Sequence, residues 1–373
     1  MLMISDVRIF EDVLAIPSKN SFDSNSFILD KDFNIINECG SFYNSFSGRV
    51  NCFFDKKQLT EPNSIIDCGV FGGWIWPYFS HFMMDTLSRM WYQKFIQNEK
   101  TYFFSVDSSH GWKENYPHLK YINDFSFVFG FNPDKFETIN KPTLFKKLII
   151  PNQALLNNLE PTDIWKDFIK TCKWFPLNNK KYSKIYIPRF DMRDNYESFL
   201  FGEYSFTEFL EKEGFYVLDV KKHSVSDQWF IISNADVIVI PEGSAILWSL
   251  FCDNNKMVII SRRPNRLCYG VSDITDFDFA NISSNFMNTV IIDQVVGVVD
   301  SLDNNWANIS VFLNWNKISI ELKKLGLVNN IYKCDFSIRK DVEEYNKVYP
   351  FSPDTRYRVE KYLRIMGCRD ICV

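Results

Sequence analysis

The clearest pattern in the chain lies over residues 184–260, where short apolar runs alternate with amphipathic stretches. The runs 184–187, 215–218, 237–240 and 257–260 predict strands. Val237-Ile-Val-Ile240 is β-branched throughout with no polar break, as a strand covered on both faces of a parallel sheet requires. Helical periodicity predicts helices within 205–213, closed by Gly214, over 226–234 with Ser226 as N-cap, and over 245–251. Strands alternating with helices at this spacing predict a parallel sheet. Gly243 and Ser244 fall where the chain leaves the carboxyl end of the 237–240 strand and opens a helix. Backbone N–H groups and the helix dipole converge there, so this turn is the expected seat of an anionic ligand.

The upstream part is less regular. A hairpin is predicted over 26–38 with Lys31-Asp32 near its turn, and a short strand over 64–67, followed by Gly69, Gly72 and Gly73. A helix is expected from about 78 to 97, strands over 102–105 and 147–150, and a helix over 163–174 between Pro161 and Pro176. The tail, 304–373, reads as mainly helical and is expected to pack back on the N-terminal domain. The division this suggests is 1–178, 179–303 and 304–373. Two α/β domains about a cleft would suit an enzyme that joins two substrates, although fold alone does not name the reaction.

Composition narrows the class. The chain has 373 residues, 46% of them hydrophobic, enough for two cores of ordinary size. Its 36 Phe are spread along the whole length and read as core filling. A net charge of −4 without a basic run argues against a nucleic-acid partner. Nine scattered Cys without a CxxC pair predict reduced thiols and no structural zinc. The N-terminus reaches charge too early for a signal peptide, and the longest apolar stretch, 70–84, is broken by Gly, Pro, Ser and His. The expected location is the cytoplasm, compatible with peripheral attachment to the inner face of a membrane. Absence of GxGxxG and Walker loops gives nicotinamide cofactors and ATP hydrolysis no support.

Four constellations could carry chemistry. His81, Asp85 and Arg89 are spaced by four and fall on one stripe of the 78–97 helix, opposite Met83, Leu87, Met90 and Trp91. This is either a solvated polar stripe or one wall of a site, and the aromatic lead-in Trp74-Ile-Trp-Pro-Tyr78 favours the second. Arg189 and Arg193 follow a strand whose carboxyl end points to the same rim as Gly243. The planar guanidinium suits phosphate; the plainer reading is a pair of surface salt bridges to Asp191 and Asp194. Pro241-Glu-Gly-Ser-Ala245 is the glycine turn itself, a weak signal alone. Asp276 and Asp278 form a DxD pair, common by chance among 46 acidic residues, and metal binding is not expected of it. His110, His118 and His223 sit in polar surroundings and read as surface residues.

Taken in order, these pieces resemble glycosyltransferase family 61, the DUF563 group. The resemblance rests on the helix with His81-Phe82, Asp85 and Arg89, on Lys184-Ile-Tyr-Ile-Pro-Arg189, and on Arg193 with Asn195-Tyr196-Glu197. It continues through Gly214-Phe215, Gln228 before Asn234-Ala-Asp236, and Gly243-Ser-Ala245, covering 64–255. It implies a GT-B fold: two Rossmann-like α/β domains facing a central cleft. It also implies an inverting, metal-independent transfer from a nucleotide-sugar donor, a UDP-sugar in the first place, held mainly by the second domain. The acceptor would be a glycan or lipid-linked glycan in capsule, lipopolysaccharide or other cell-surface polysaccharide synthesis. The family's RxxxR pattern falls on Arg189 and Arg193, its NE pair on Asn195 and Glu197, and its Gln on Gln228; Arg89, Glu242, Gly243 and Ser244 complete the expected donor set.

The chain also departs from the family. Many members carry His before the glycine of the turn and Asn a few residues later; here Glu242, and then Trp248 and Ser249, occupy those places. A glutamate there could bond ribose hydroxyls, but would repel a diphosphate if it turned inward. On this reading His81 is the base that takes the acceptor proton, with Asp85 orienting it, while the arginines and the Gly243-Ser244 amides stabilise the leaving nucleotide. The alternative is a non-catalytic nucleotide-sugar-binding or scaffold protein of a polysaccharide-synthesis complex.

Overall fold

The structure, a computed structural model, describes residues 6–17, 26–39, 61–75, 79, 82–95, 99–105, 117–155, 161–189, 199–252, 255–262, 288–299, 310–333 and 337–367. The chain divides into two compact units, Met1–Phe175 with Ser272–Asp278, and Pro176–Val271 with Phe279–Val373.

The first unit is built on β1 (Val7–Ile16), β2 (Phe27–Leu29), β3 (Ser64–Ile66), β4 (Gly69–Ile75), β5 (Thr101–Ser105), β6 (Phe136–Ile139) and β7 (Thr143–Pro151). They form one sheet in the order β2-β1-β7-β4-β5-β6, with β3 also against β7. Strands β3 to β7 are mutually parallel and β1 runs antiparallel to β7, so the sheet is mixed, not the uniformly parallel one of a Rossmann-like domain. The expected hairpin forms after β2: Asp30 accepts the amides of Asp32 at 2.9 Å and Asn34 at 2.8 Å, an Asx turn that folds the chain back. Gly69, Gly72 and Gly73, which follow the short β3, lie inside a strand of their own, β4. Glycine is needed there because rings lie flat on the strand: a Cβ at Gly72 would come 2.2 Å from the Phe103 ring. Gly73 has φ +90° at a bulge in the β4–β5 register.

Around the sheet run α1 (Leu87–Met90), α2 (Pro117–Phe129) and α3 (Asp163–Lys170), the last capped by the Thr162 side chain. Phenylalanine fills this unit as its frequency suggested: Phe129 stacks on Phe125 at 5.6 Å and on Phe168 at 4.6 Å.

The second unit carries β8 (Lys184–Tyr186), β9 (Leu200–Phe201), α4 (Glu203–Lys212), β10 (Tyr216–Val217), α5 (Val225–Ser233), β11 (Val237–Pro241) and β12 (Lys256–Ile260). Then follow β13 (Asn288–Ile292), β14 (Val295–Val299), β15 (Ser310–Leu313), α6 (Trp315–Lys324), α7 (Ser337–Val348) and α8 (Pro353–Ile365). The main sheet runs β10-β8-β11-β12-β13 with every pairing parallel. Its strands thus lie in the chain order 2-1-3-4-5 of a doubly wound fold. Strand β11 is central and buried from Ile238 to Pro241, as its unbroken apolar run requires. The cap of α5 is Ser224 and not Ser226, which is buried in the first turn. The predicted 245–251 helix is a 3-10 segment, Ser244–Phe251.

A smaller sheet, β14-β15-β9, extends the second core. Where the sequence reading sends the tail back onto the N-terminal domain, its described helices share the core of the second unit. Trp315, Ile338, Val342, Val359 and Leu363 belong to one buried cluster with Phe201, Phe206 and Phe312. Trp315 stacks on Phe206 at 4.6 Å and its indole N–H donates to the Phe201 carbonyl at 2.7 Å. Among the described residues no helix is long and apolar enough to cross a membrane.

Candidate functional site

In a 2-1-3-4-5 sheet the first and third strands in chain order are neighbours whose connections leave on opposite faces, which opens a crevice at their carboxyl ends. Here those strands are β8 and β11, and the Ile187 amide continues their alignment by bonding the Val239 carbonyl at 3.0 Å. Arg189 follows β8 and the Glu242-Gly243 turn follows β11, so both meet at this switch point. The Arg189 Nη1 donates to the Glu242 carbonyl at 3.2 Å. Gly243 is extended, with φ 166°, and the guanidinium lies against it where a side chain would start.

Residues outside the sequence-based set hold this arrangement. The Glu203 Oε1 accepts the Arg189 amide at 3.0 Å and the Tyr186 hydroxyl at 2.8 Å. Glu203 is the first residue of α4, placed by Gly202 at φ +84°, and a carboxylate suits the positive end of a helix. Burial and the adjacent Glu203 carboxylate push the Tyr186 hydroxyl well above its ordinary pKa, so it stays a donor. Arg262, just past β12, donates its Nε to the same Glu242 carbonyl at 2.7 Å, and its amide donates to the Glu242 Oε2 at 3.3 Å. Glu203, Glu242 and Arg262 are all buried. A signal for Arg262 exists in the sequence: it follows a parallel strand just as Arg189 does. Glu203 had none beyond its place after a glycine, because its partner, the Arg189 amide, is defined only by folding.

The remaining donor-side residues fall as follows. The Gln228 side-chain amide donates to the Val220 carbonyl at 2.9 Å and the His223 carbonyl at 3.1 Å, fastening α5 to the connection after β10. Ser244 is half-buried at the start of the 3-10 segment. Trp248 and Ser249, the second departure from the family, are 2% and 0% exposed and belong to the interior of the unit. Arg193, Asn195, Glu197, Asp276 and Asp278 lie outside the described residues.

In the first unit, every residue from Phe82 to Trp91 is buried, so Asp85 and Arg89 are not part of a solvated stripe. Residues Phe82–Thr86 form a π-helical turn, a wide turn often found where a helix carries function. The Arg89 guanidinium donates to the Pro151 carbonyl at 2.8 Å and the Glu38 carbonyl at 2.6 Å, and lies 5.7 Å from the centre of the Phe71 ring. Burial lowers its pKa from the usual value, while the charge of Asp85 acts in the opposite direction. Gly73 makes room, since a Cβ there would lie 3.1 Å from Arg89 Cδ. Trp74 packs on Phe104 at 5.2 Å in the core of the sheet. His81 and the aromatic residues 76–78 lie outside the described residues.

An all-parallel sheet with this strand order, arginines and a close-packed glycine turn at its carboxyl edge is the layout with which α/β proteins take phosphate-bearing ligands. Residues 79–260 match the family model of Glycosyltransferase 61. This span carries a Glycosyltransferase 61 domain, which supports a transferase activity. No curated protein matches the chain in sequence.

Proposed function

We propose that the chain is an inverting, metal-independent glycosyltransferase of GT-B type. It moves a sugar from a nucleotide-sugar donor, tested first as UDP-sugars, to a glycan or lipid-linked glycan acceptor in the synthesis of capsule, lipopolysaccharide or another cell-surface polysaccharide. The reading rests above all on the convergence of Arg189, Glu242 and Gly243 at the β8–β11 switch point, inside the span that matches the family. The donor diphosphate lies at this edge, where guanidinium groups and backbone amides offset the negative charge that grows on the leaving nucleotide. Arg193 and Glu197 add to the same donor site, and Gln228 sets the loop beside it. The transfer takes place in the cytoplasm, at or near the inner face of the membrane.

The first unit binds the acceptor and supplies the base. His81 takes the acceptor proton. Asp85, buried at the π-helical turn four residues on, orients the imidazole and raises its basicity. A positioned base contributes about 10²–10⁴-fold to the rate. His81→Ala and Asp85→Asn are therefore expected to lower kcat by about that factor in a transfer assay, with the Kd for UDP unchanged. Near-wild-type kcat in both variants would remove the base assignment. Slow donor hydrolysis without acceptor is expected of the wild type, and its complete absence, with no transfer to any acceptor, would favour a binding or scaffold role.

A further inference from the structure

We infer that Arg262 is a second cation of the donor-phosphate site and that Glu242 is the positioning residue that pairs it with Arg189. The inference deepens the function proposed above and rests on it.

The Glu242 peptide is the meeting point of three strand ends. Its amide donates to the Ile260 carbonyl at 2.8 Å, which fixes β11 against β12. Its carbonyl accepts from Arg189 Nη1 at 3.2 Å and from Arg262 Nε at 2.7 Å. Its carboxylate accepts the Arg262 amide at 3.3 Å, so the side chain turns along the sheet edge toward β12. The two donor nitrogens share one oxygen and so lie within about 6 Å of each other, close enough for appreciable repulsion between their charges at a partly buried site. Two guanidinium groups forced together at the carboxyl edge of a parallel sheet are arranged for a ligand with two adjacent negative groups, which is the diphosphate of a nucleoside diphosphate. The arrangement also accounts for the glutamate beside the glycine turn. Its carboxylate is engaged with the Arg262 backbone, and what it contributes to the site is the geometry of two arginines.

The test is calorimetric binding of UDP, CDP and GDP, and of the corresponding nucleosides, to the wild type and to Arg262→Ala, Arg262→Lys, Glu242→Gln and Arg189→Ala. Thermal melts of each variant confirm folding. Arg262→Ala is expected to weaken the best diphosphate at least tenfold and leave the nucleoside within twofold. Arg262→Lys should recover only part of the loss, since lysine keeps the charge but not the Nε bond. Glu242→Gln keeps an acceptor for the Arg262 amide but removes the carboxylate charge beside the two arginines, so its diphosphate affinity should differ from wild type by more than threefold while the nucleoside stays within twofold. The double variant Arg189→Ala with Arg262→Ala should lose less than the product of the single losses, because each arginine holds the other's partner in place. Equal weakening of diphosphate and nucleoside by Arg262→Ala would show a merely structural role and overturn the inference, as would unchanged diphosphate affinity. Loss of binding in Arg189→Ala alone would leave the donor site standing without Arg262. A wild type that binds none of the three diphosphates would overturn both the inference and the function it rests on.

Discussion

Gly243 has an extended backbone, so no left-handed conformation demands glycine there. The neighbouring arginine does: a Cβ would lie 2.0 Å from Arg189 Nη1 and 3.3 Å from its Cζ. The guanidinium is the far end of a flexible side chain and can swing away, so Gly243→Ala is expected to displace Arg189 at little cost to folding. A hydrogen bond to a charged group contributes about 1.5–3 kcal/mol, so UDP affinity should fall roughly 10- to 100-fold in that variant. A melting temperature near that of the wild type is the matching expectation. Unchanged affinity by calorimetry would mean that the guanidinium position against the turn is irrelevant to the ligand.

Among the elements, α5 carries the most local logic. Ser224 Oγ accepts the Asp227 amide at 3.1 Å and donates to the Asp227 carboxylate at 2.7 Å, a reciprocal cap that closes the first turn. Asp227 also accepts the Asn178 amide at 2.9 Å, tying the segment that enters the second unit to this helix. Burial pushes the Asp227 carboxyl up, but the bonds from the Asn178 amide and the Ser224 hydroxyl outweigh it and hold the group below its ordinary value of 3.8. A carboxyl depressed in the folded state stabilises the fold at pH above the unfolded value, and that stabilisation is lost as pH falls through the folded one. Asp227→Asn is thus expected to be less stable than wild type at neutral pH, with the gap narrowing in acid below the ordinary carboxylate value. Urea denaturation across that range checks it; a gap independent of pH would contradict the assignment. Ser224→Ala should cost about 1 kcal/mol at neutral pH, the usual worth of an N-cap side chain.

For the whole molecule, the consequence of the shared core is that the tail helices support the sheet edge where the donor is proposed to bind. Asp341 on α7 accepts the Gly202 amide at 2.9 Å, next to the glutamate that holds the Arg189 amide. Leu363 on α8 is buried in the same cluster as Phe201 and Phe206. Leu363→Ala should lower the stability of the second unit by about 2–5 kcal/mol. Added UDP should recover part of the melting temperature, since a ligand that binds only the folded state stabilises it. If the variant melts like the wild type, the tail does not belong to the core described here.

The alternation of strands and helices over 184–260 was legible in the sequence because β11 and β12 are apolar without a break, and a strand buried on both faces has no other composition available to it. Gly243 and Arg189 were legible for a related reason: a residue just past a parallel strand must lie at the carboxyl edge. The role of the β4 glycines was not legible, because a close approach by Phe103, Tyr102 and Arg89 calls for the same residue as a turn, and only packing distinguishes the two. Spacing by four placed Asp85 and Arg89 on a shared face, but what covers that face is a matter of packing that the spacing does not report. Glu203 and Arg262 joined Arg189 only through folding, across separations in sequence that no local pattern records. Sequence alone determined the parallel sheet of the second unit and which strand ends would matter. Tertiary structure decided which charges meet there, because a hydrogen bond depends on position in space and the order of strands β10-β8-β11-β12 is what brings those positions together.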